Sequence, residues 1–262
     1  MKRKMVALLA AALMTISFAG TALASFGNGE LIRVVYDTVG TKEYATDLGN
    51  WATITGLAAT GNQTVGGGTD AITLANFGGT TTWSNLVVGY FLVDSTVGAN
   101  QTAVAGDAGG LNSGTRKFTG FSANAAQAST TYTVNAAAGA NSVTLADKTA
   151  VNSYYTKLDS AGVTVGGYGS WVTVANPGGT KSLAALATTG FVEQTIYSWT
   201  GVNLASSGVL PGTAAFTLQT MADGSTILNA GAAAAPVPVP PAFFLMGSGL
   251  LGIFGVRRKM NA

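Results

Sequence analysis

Three carboxylates stand close together near the start of the chain, Asp37, Glu43 and Asp47. Two such groups held about 5 to 10 Å apart are the acid–base equipment of a glycosidase, so this is the first chemistry to weigh. Against it stands their setting. LIRVVYD, from Leu31, reads as a strand, Gly40 centres a turn, and Glu43 to Leu48 reads as the returning strand of a hairpin. On that element the three carboxylates are expected to be solvated edges and turn caps, and the chain is expected not to be an enzyme.

Two absences narrow the chemistry further, because the chain contains no histidine and no cysteine. Imidazole general bases, Ser-His-Asp and Cys-His systems, the usual zinc ligands, thiolate sites and disulfides are all excluded. The run Gly66-Gly67-Gly68-Thr69-Asp70 has the glycine density of a phosphate loop or calcium repeat. It lacks the Gly-Lys-Thr/Ser of the first and the spaced Gly and Asp of the second, so it reads as a flexible loop. Trp51, Trp83, Trp171 and Trp199 could stack on sugar rings, but tryptophan in a strand-rich domain is expected in the core. No cofactor and no metal site is expected.

The elements that would carry these residues read as mainly β, in a β-sandwich or jelly-roll-like domain. ATITGLA, DAITLANF and NLVVGYFLVD are short apolar or Thr-rich runs between glycines. Asn85 to Asp94, continuously apolar, is expected to be a central strand covered on both faces. Ala105 to Ala140 reads as loop or linker, with short helices at its alanine runs, and Lys148 to Asp159 reads equally as helix or strand. GVTV, SWVTVA, FVEQTIYSW and AFTLQT resume the strand pattern, and Ala222-Asp223-Gly224 supplies the turn of a hairpin within Thr213 to Ala230. Residues 65–80 and 165–180 share nine of 16 positions without a gap, a weak repeat that leaves two related halves open.

Both ends of the chain carry transport chemistry. Residues 1–24 form a secretory signal peptide: Lys2, Arg3 and Lys4, an apolar stretch from Met5 to Phe18, then Ala22-Leu23-Ala24 as the cleavage site. Residues 25–230 are the exported mostly-β domain, residues 231–241 an Ala/Pro-rich spacer, residues 242–256 an apolar helix, and residues 257–262 a basic tail. Fifteen residues, Ala242 to Val256, make a helix of roughly 22 Å against a hydrocarbon core of about 30 Å. Such a span suits a transient anchor. Gly247, Ser248, Gly249, Gly252 and Gly255 leave a small face for another membrane helix. Removing both ends takes six of the 13 basic residues and none of the 11 acidic ones, leaving 7 against 11 and a net charge of about −4. The mature chain therefore lacks the basic surface that nucleic-acid binding requires.

The C-terminal layout resembles the PEP-CTERM sorting signal of Gram-negative bacteria, in its VPLPA/GSGLLG subgroup. Val237, Pro238, Val239 and Pro240 match the proline motif. Gly247, Ser248, Gly249, Leu250, Leu251 and Gly252 match GSGLLG, and Arg257, Arg258 and Lys259 match the basic end. Pro241 stands where alanine is common, and Met260, Asn261 and Ala262 trail the basic cluster. The resemblance covers about a tenth of the chain. It implies export by the secretory translocon, transient inner-membrane anchoring, cleavage by an exosortase near the proline motif, and delivery to the cell surface or extracellular matrix. It also implies a structural or adhesive role with exopolysaccharide or biofilm; the alternatives are a carbohydrate-binding module and a secreted carboxylate-dependent glycosidase. N-terminal peptide mapping of the exported protein is expected to start at Ser25; a first residue still within 1–24 would contradict the cleavage reading.

Overall fold

A computed structural model describes residues 26–78, 81–94, 101–106, 115–159, 179–199, 207–209 and 213–229. All belong to the unit Met1–Gly231; the second unit, Ala232–Ala262, lies outside the described residues. So do the signal peptide, both of its cleavage alanines, the sorting motif, the C-terminal helix and most of the second copy of the repeat. Among the described residues no helix is long and apolar enough to cross a membrane.

The protein is mainly β, with two antiparallel sheets. The expected hairpin forms from β1 (Glu30–Asp37) and β2 (Glu43–Asn50), in register from Tyr36↔Glu43 to Ile32↔Asp47. The long apolar run is β4 (Leu86–Asp94), central as expected, with β1 along one edge and β5 (Gln101–Gly106) and β8 (Thr180–Ser182) along the other. β9 (Phe191–Trp199) follows β5, then β11 (Thr213–Met221), β12 (Thr226–Asn229) and β3 (Gln63–Val65). At the other end β7 (Ser142–Leu145) pairs with β2. The order is β3-β12-β11-β9-β5-β4-β1-β2-β7, with β8 beside β4. A small second sheet pairs β6 (Thr115–Lys117) with β10 (Ser207–Val209).

Three stretches differ from the sequence reading, the first being DAITLANF, which forms short 3₁₀ turns at Gly68–Asp70 and Leu74–Phe77 and no strand. ATITGLA lies in helix α1 (Trp51–Thr60). Asn50 caps it, its side chain accepting the Ala52 N–H at 3.0 Å, and Ile54 and Ala58, one turn apart, point into the core. An Asx cap followed by apolar residues at i and i+4 outweighs the β-branched threonines. Within Ala105 to Ala140, read as mostly linker, lies the 18-residue helix α2 (Phe118–Asn135). Ala125, Ala128 and Tyr132 form its buried stripe; its Gly, Ser, Asn and Thr hide that spacing. Lys148 to Asp159 resolves into turns and the short helix α3 (Tyr154–Lys157).

Alternation along β1 divides the core. Ile32, Val34 and Tyr36 join Phe91 and the stripe of α2 in one cluster. Leu31 and Val35 face the other cluster, with Ile54 and Ala58 of α1 and with Ile196, Phe216, Leu218 and Leu228 of the far strands. Arg33 shares this second face and is fully buried. Its Nη1 donates to the Gly224 carbonyl (3.1 Å) and Thr226 Oγ1 (2.8 Å), and its Nη2 to Thr46 Oγ1 (3.0 Å) and the Asp70 carbonyl (2.6 Å). Four strands separate β1 from β12 in the sheet; flat, at about 4.8 Å per strand, they would stand roughly 24 Å apart. The sheet must therefore bend over this face. A Tyr90–Thr220 hydroxyl pair at 2.7 Å joins β4 to β11 across the same core.

The β11–β12 turn forms as expected. Asp223 Oδ1 accepts from the Ser225 N–H (2.9 Å) and hydroxyl (2.6 Å), and Gly224 adopts φ +80°. A Cβ on Gly224 would lie 1.9 Å from the Ile72 carbonyl oxygen, so this glycine is required for close approach as well as for the turn. Removing the guanidinium would strand four acceptors beneath the bend. Arg33→Ala is expected to lower unfolding free energy by at least about 3 kcal/mol in urea titration. Arg33→Lys, which keeps the charge but lacks the planar fork, is expected to lose stability as well.

Candidate functional site

The three carboxylates weighed in the sequence do not form one site. Asp37 is the turn cap expected, its Oδ1 accepting the Val39 and Gly40 N–H groups at 2.9 Å each. Burial pushes its pKa up, but those donors and nearby Lys148 outweigh it and hold Asp37 below the usual range. Asp47 binds the Gly49 N–H at 2.9 Å and faces a cleft. Glu43 corrects the solvated-edge reading, because it is completely buried. It pairs with Tyr36 across the β1–β2 ladder, so its side chain is on the apolar face that α2 covers.

Glu43 is the joint between β2 and two helices. Its Oε1 accepts the Tyr132 hydroxyl of α2 (2.6 Å) and the Tyr154 N–H (3.0 Å), and its Oε2 accepts the Tyr155 N–H (2.9 Å). The carboxyl thus sits at the N-terminus of α3, where backbone donors are otherwise unsatisfied. Nearby, the Tyr36 hydroxyl donates to Asp159, and the Lys148 ammonium donates to the Asp37 carbonyl. The ammonium lies 5.8 Å and 5.1 Å from the Tyr36 and Tyr155 ring centres, within range of cation–π attraction. Burial pulls the Lys148 pKa down, with Asp37, Asp159 and Glu43 opposing. Gly89 of β4 makes room for this cluster, since a Cβ there would lie 2.4 Å from the Tyr154 hydroxyl. The network is closed in on itself. Its role is to fasten helices to the sheet.

The feature open to a ligand lies at the other end of the hairpin, away from its turn. A cleft of about 460 Å³ is lined by Glu30 of β1, the Asp47–Asn50 end of β2, Thr53 and Leu57 of α1, β3, Gly66, Gly67, Asp70 and Asn141. It therefore opens where the two ends of the bent sheet approach each other. Side-chain bonds tie the seam in place of a strand ladder. Asp70 accepts from Asn141 Nδ2 (3.2 Å) and Ser142 Oγ (3.3 Å), while the Asp47 N–H, donating to the Asn141 carbonyl at 2.8 Å, extends the β2–β7 pair beside them. The glycine run read as a flexible loop is one wall. Gly66 has φ +56°, and a Cβ on it would lie 2.6 Å from Leu48 and 3.4 Å from the Arg33 guanidinium carbon. This loop packs on the buried arginine and leads into a short 3₁₀ turn at Gly68–Asp70.

The polar lining comprises carboxylates, amides and hydroxyls: Glu30, Asp47, Asp70, Asn50, Asn141, Gln63, Thr53 and Thr64. Burial raises the Glu30 pKa to about 7, the Asp47 charge adds to the rise, and a hydrogen bond with Asn50 opposes it. Sequence reading missed Glu30. Counting the hairpin register back from the turn brings it opposite Gly49, and a register shift between Glu30 and Ile32 moves it opposite Asn50, so the count placed Glu30 at this end of the hairpin but not against its partner. Among the described residues no group of three or more His, Cys, Asp or Glu is arranged to hold a metal ion. Trp51 packs on Phe216 at 5.3 Å between ring centres, and Trp83 packs against the same core, as a core role requires. Trp171 and the Trp199 side chain lie outside the described residues. No protein-family model, curated protein or solved structure matches the chain.

Burial raises the Glu43 pKa from 4.5 to about 7, against the hydrogen bonds that favour its charged form. The folded protein holds this proton more tightly than the unfolded chain. The resulting stability is full below about pH 4.5 and is lost as pH rises through 7. Melts at pH 5 and pH 8 are expected to show greater stability at pH 5, with Glu43 contributing at most about 3 kcal/mol. Glu43→Gln, which imitates the protonated acid, should flatten that slope; an unchanged slope would assign it to other groups.

Proposed function

We propose that this chain is an exported protein of the cell surface or extracellular matrix that contacts exopolysaccharide through the seam cleft. The observation that carries the reading is the cleft's composition: amide, hydroxyl and carboxylate side chains converge on an open space of sugar size. Sugar hydroxyls both donate and accept, so a mixed lining of this kind suits them. The bent antiparallel sheet supports a sandwich-like domain, a rigid frame for such a lining. Export and delivery rest on the two terminal segments. Ala22 and Ala24 mark the first cleavage, Val237 to Pro240 with Gly247 to Gly252 and Arg257 to Lys259 mark the sorting signal, and the translocon and an exosortase are the partners these imply. The tail serves as a transient inner-membrane anchor before release. The role is structural or adhesive, without a cofactor and without nucleic acid.

A second reading, a carboxylate-dependent glycosidase, draws on Glu30, whose raised pKa beside Asp47 resembles an acid–base pair. It predicts release of new reducing ends from the host's exopolysaccharide, abolished by Glu30→Gln. The adhesive reading predicts binding without cleavage. Calorimetric titration with a glycan panel is expected to give saturable binding that Asn50→Ala and Asn141→Ala weaken, and absence of binding across the panel would retire the cleft as a glycan site. C-terminal peptide mapping of matrix material is expected to end near the proline motif; a tail intact through Ala262 in the inner membrane would overturn the sorting proposal.

A further inference from the structure

The turn that enters β3 carries chemistry that the cleft does not use. Residues 62–64 and 100–102 both read Asn-Gln-Thr, the acceptor pattern for an N-linked sugar. We propose that Asn62, and not Asn100, is a site of N-glycosylation on the folded protein. The inference rests on the export reading above, since this modification belongs to surface loops of secreted chains.

Three features of the first triplet suit it to a transferase. Asn62 is exposed, with φ +38°, between the C-terminus of α1 and the start of β3. The Gln63 side chain donates back to the Gly61 carbonyl at 2.8 Å, bridging the backbone on either side of Asn62 and holding this turn in place. Thr64 is exposed too, and among the described residues neither the Asn62 amide nor the Thr64 hydroxyl makes a hydrogen bond. Both groups that the pattern requires are therefore available. The third feature is the edge: among the described residues β3 ends the main sheet and pairs only with β12, through Gln63↔Leu228, Thr64↔Ile227 and Val65↔Thr226. So short a strand, held on one side, is drawn away at small cost. The second triplet is placed differently, because Thr102 lies in β5 and pairs with Val93 of β4 on one side and Trp199 of β9 on the other. Presenting it would open two ladders.

The step joins Asn62 Nδ2 to the anomeric carbon of a sugar activated as a diphosphate ester. The bond from that carbon to the diphosphate oxygen breaks, the diphosphate leaves with the bonding pair, and the amide nitrogen gives one proton to a base of the transferase. Gln63 and Thr64 line the cleft, so the attached sugar would stand at its rim.

The test is intact mass and peptide mapping of the protein recovered from the producing cells and their matrix, with melting temperatures confirming that each variant folds. The expected map begins at Ser25, carries a glycan on the peptide holding Asn62, and shows Asn100 bare. Asn62→Gln and Thr64→Val should each lose that mass completely, whereas Thr64→Ser, which keeps the hydroxyl, should retain it. A map that begins at Ser25 with Asn62 bare, or with sugar on Asn100 instead, would overturn the inference and leave export standing. Loss in Thr64→Val but not in Asn62→Gln would place an O-linked sugar on the threonine and overturn it equally. A chain still carrying residues 1–24 with Asn62 bare would remove the export reading, and this inference with it.

Discussion

The guanidinium of Arg33 is the interaction on which the architecture depends. It is a charge with no exposure, lodged on the face of β1 that otherwise presents Leu31 and Val35. Burying it is tolerable because oxygens from several separate parts of the chain meet its two terminal nitrogens. Those oxygens come from β2, from the loop after β3, from the β11–β12 turn and from the first residue of β12. The same bonds therefore specify how far the sheet bends and where its ends come to rest. Tyr90 and Thr220 repeat the arrangement with neutral groups, and the apolar cluster around them supplies bulk without choosing a partner.

The opposite face solves a different problem. There the sheet must carry α2 and α3, and Glu43 does so by accepting one tyrosine hydroxyl and two backbone N–H groups. Tyr36, Asp159 and Lys148 extend the network towards the β1–β2 turn. The two buried charges thus stand on one hairpin but face opposite ways, Arg33 toward the bend and Glu43 toward the helices. The cleft follows from the first. Because the bent sheet is tied at its seam by Asp70, Asn141 and Ser142, the walls between β3 and β2 stay apart, and polar residues line the gap.

Local pattern determined much of the fold. The β1–β2 hairpin, the central β4 and the Asp223-Gly224 turn all follow from short-range signals: alternation, an uninterrupted apolar run, and turn chemistry. The two helices were harder to read for opposite reasons. In α1 an Asn cap competed with β-branched threonines, and in α2 a sparse Ala-Ala-Tyr stripe was diluted by small polar residues. Residue type also settled what chemistry is unavailable, since a chain without His or Cys cannot assemble imidazole or thiolate sites.

The tertiary structure alone decided where the charges went. Nothing local distinguishes Glu43, which is buried, from Asp47, which lines the cleft. Both sit on the same strand, four residues apart and therefore of the same parity. The difference arises because α2 and α3 cover one end of β2, whereas its other end turns at Gly49 and Asn50 into α1. Likewise Arg33 reads in sequence as one polar residue within an apolar strand. Its partners lie up to 193 residues away, and only the bend of the whole sheet could bring them together. Short-range physics fixes which segments become strands and turns. Long-range packing fixes which polar groups lose water, and with them the place where a ligand can enter.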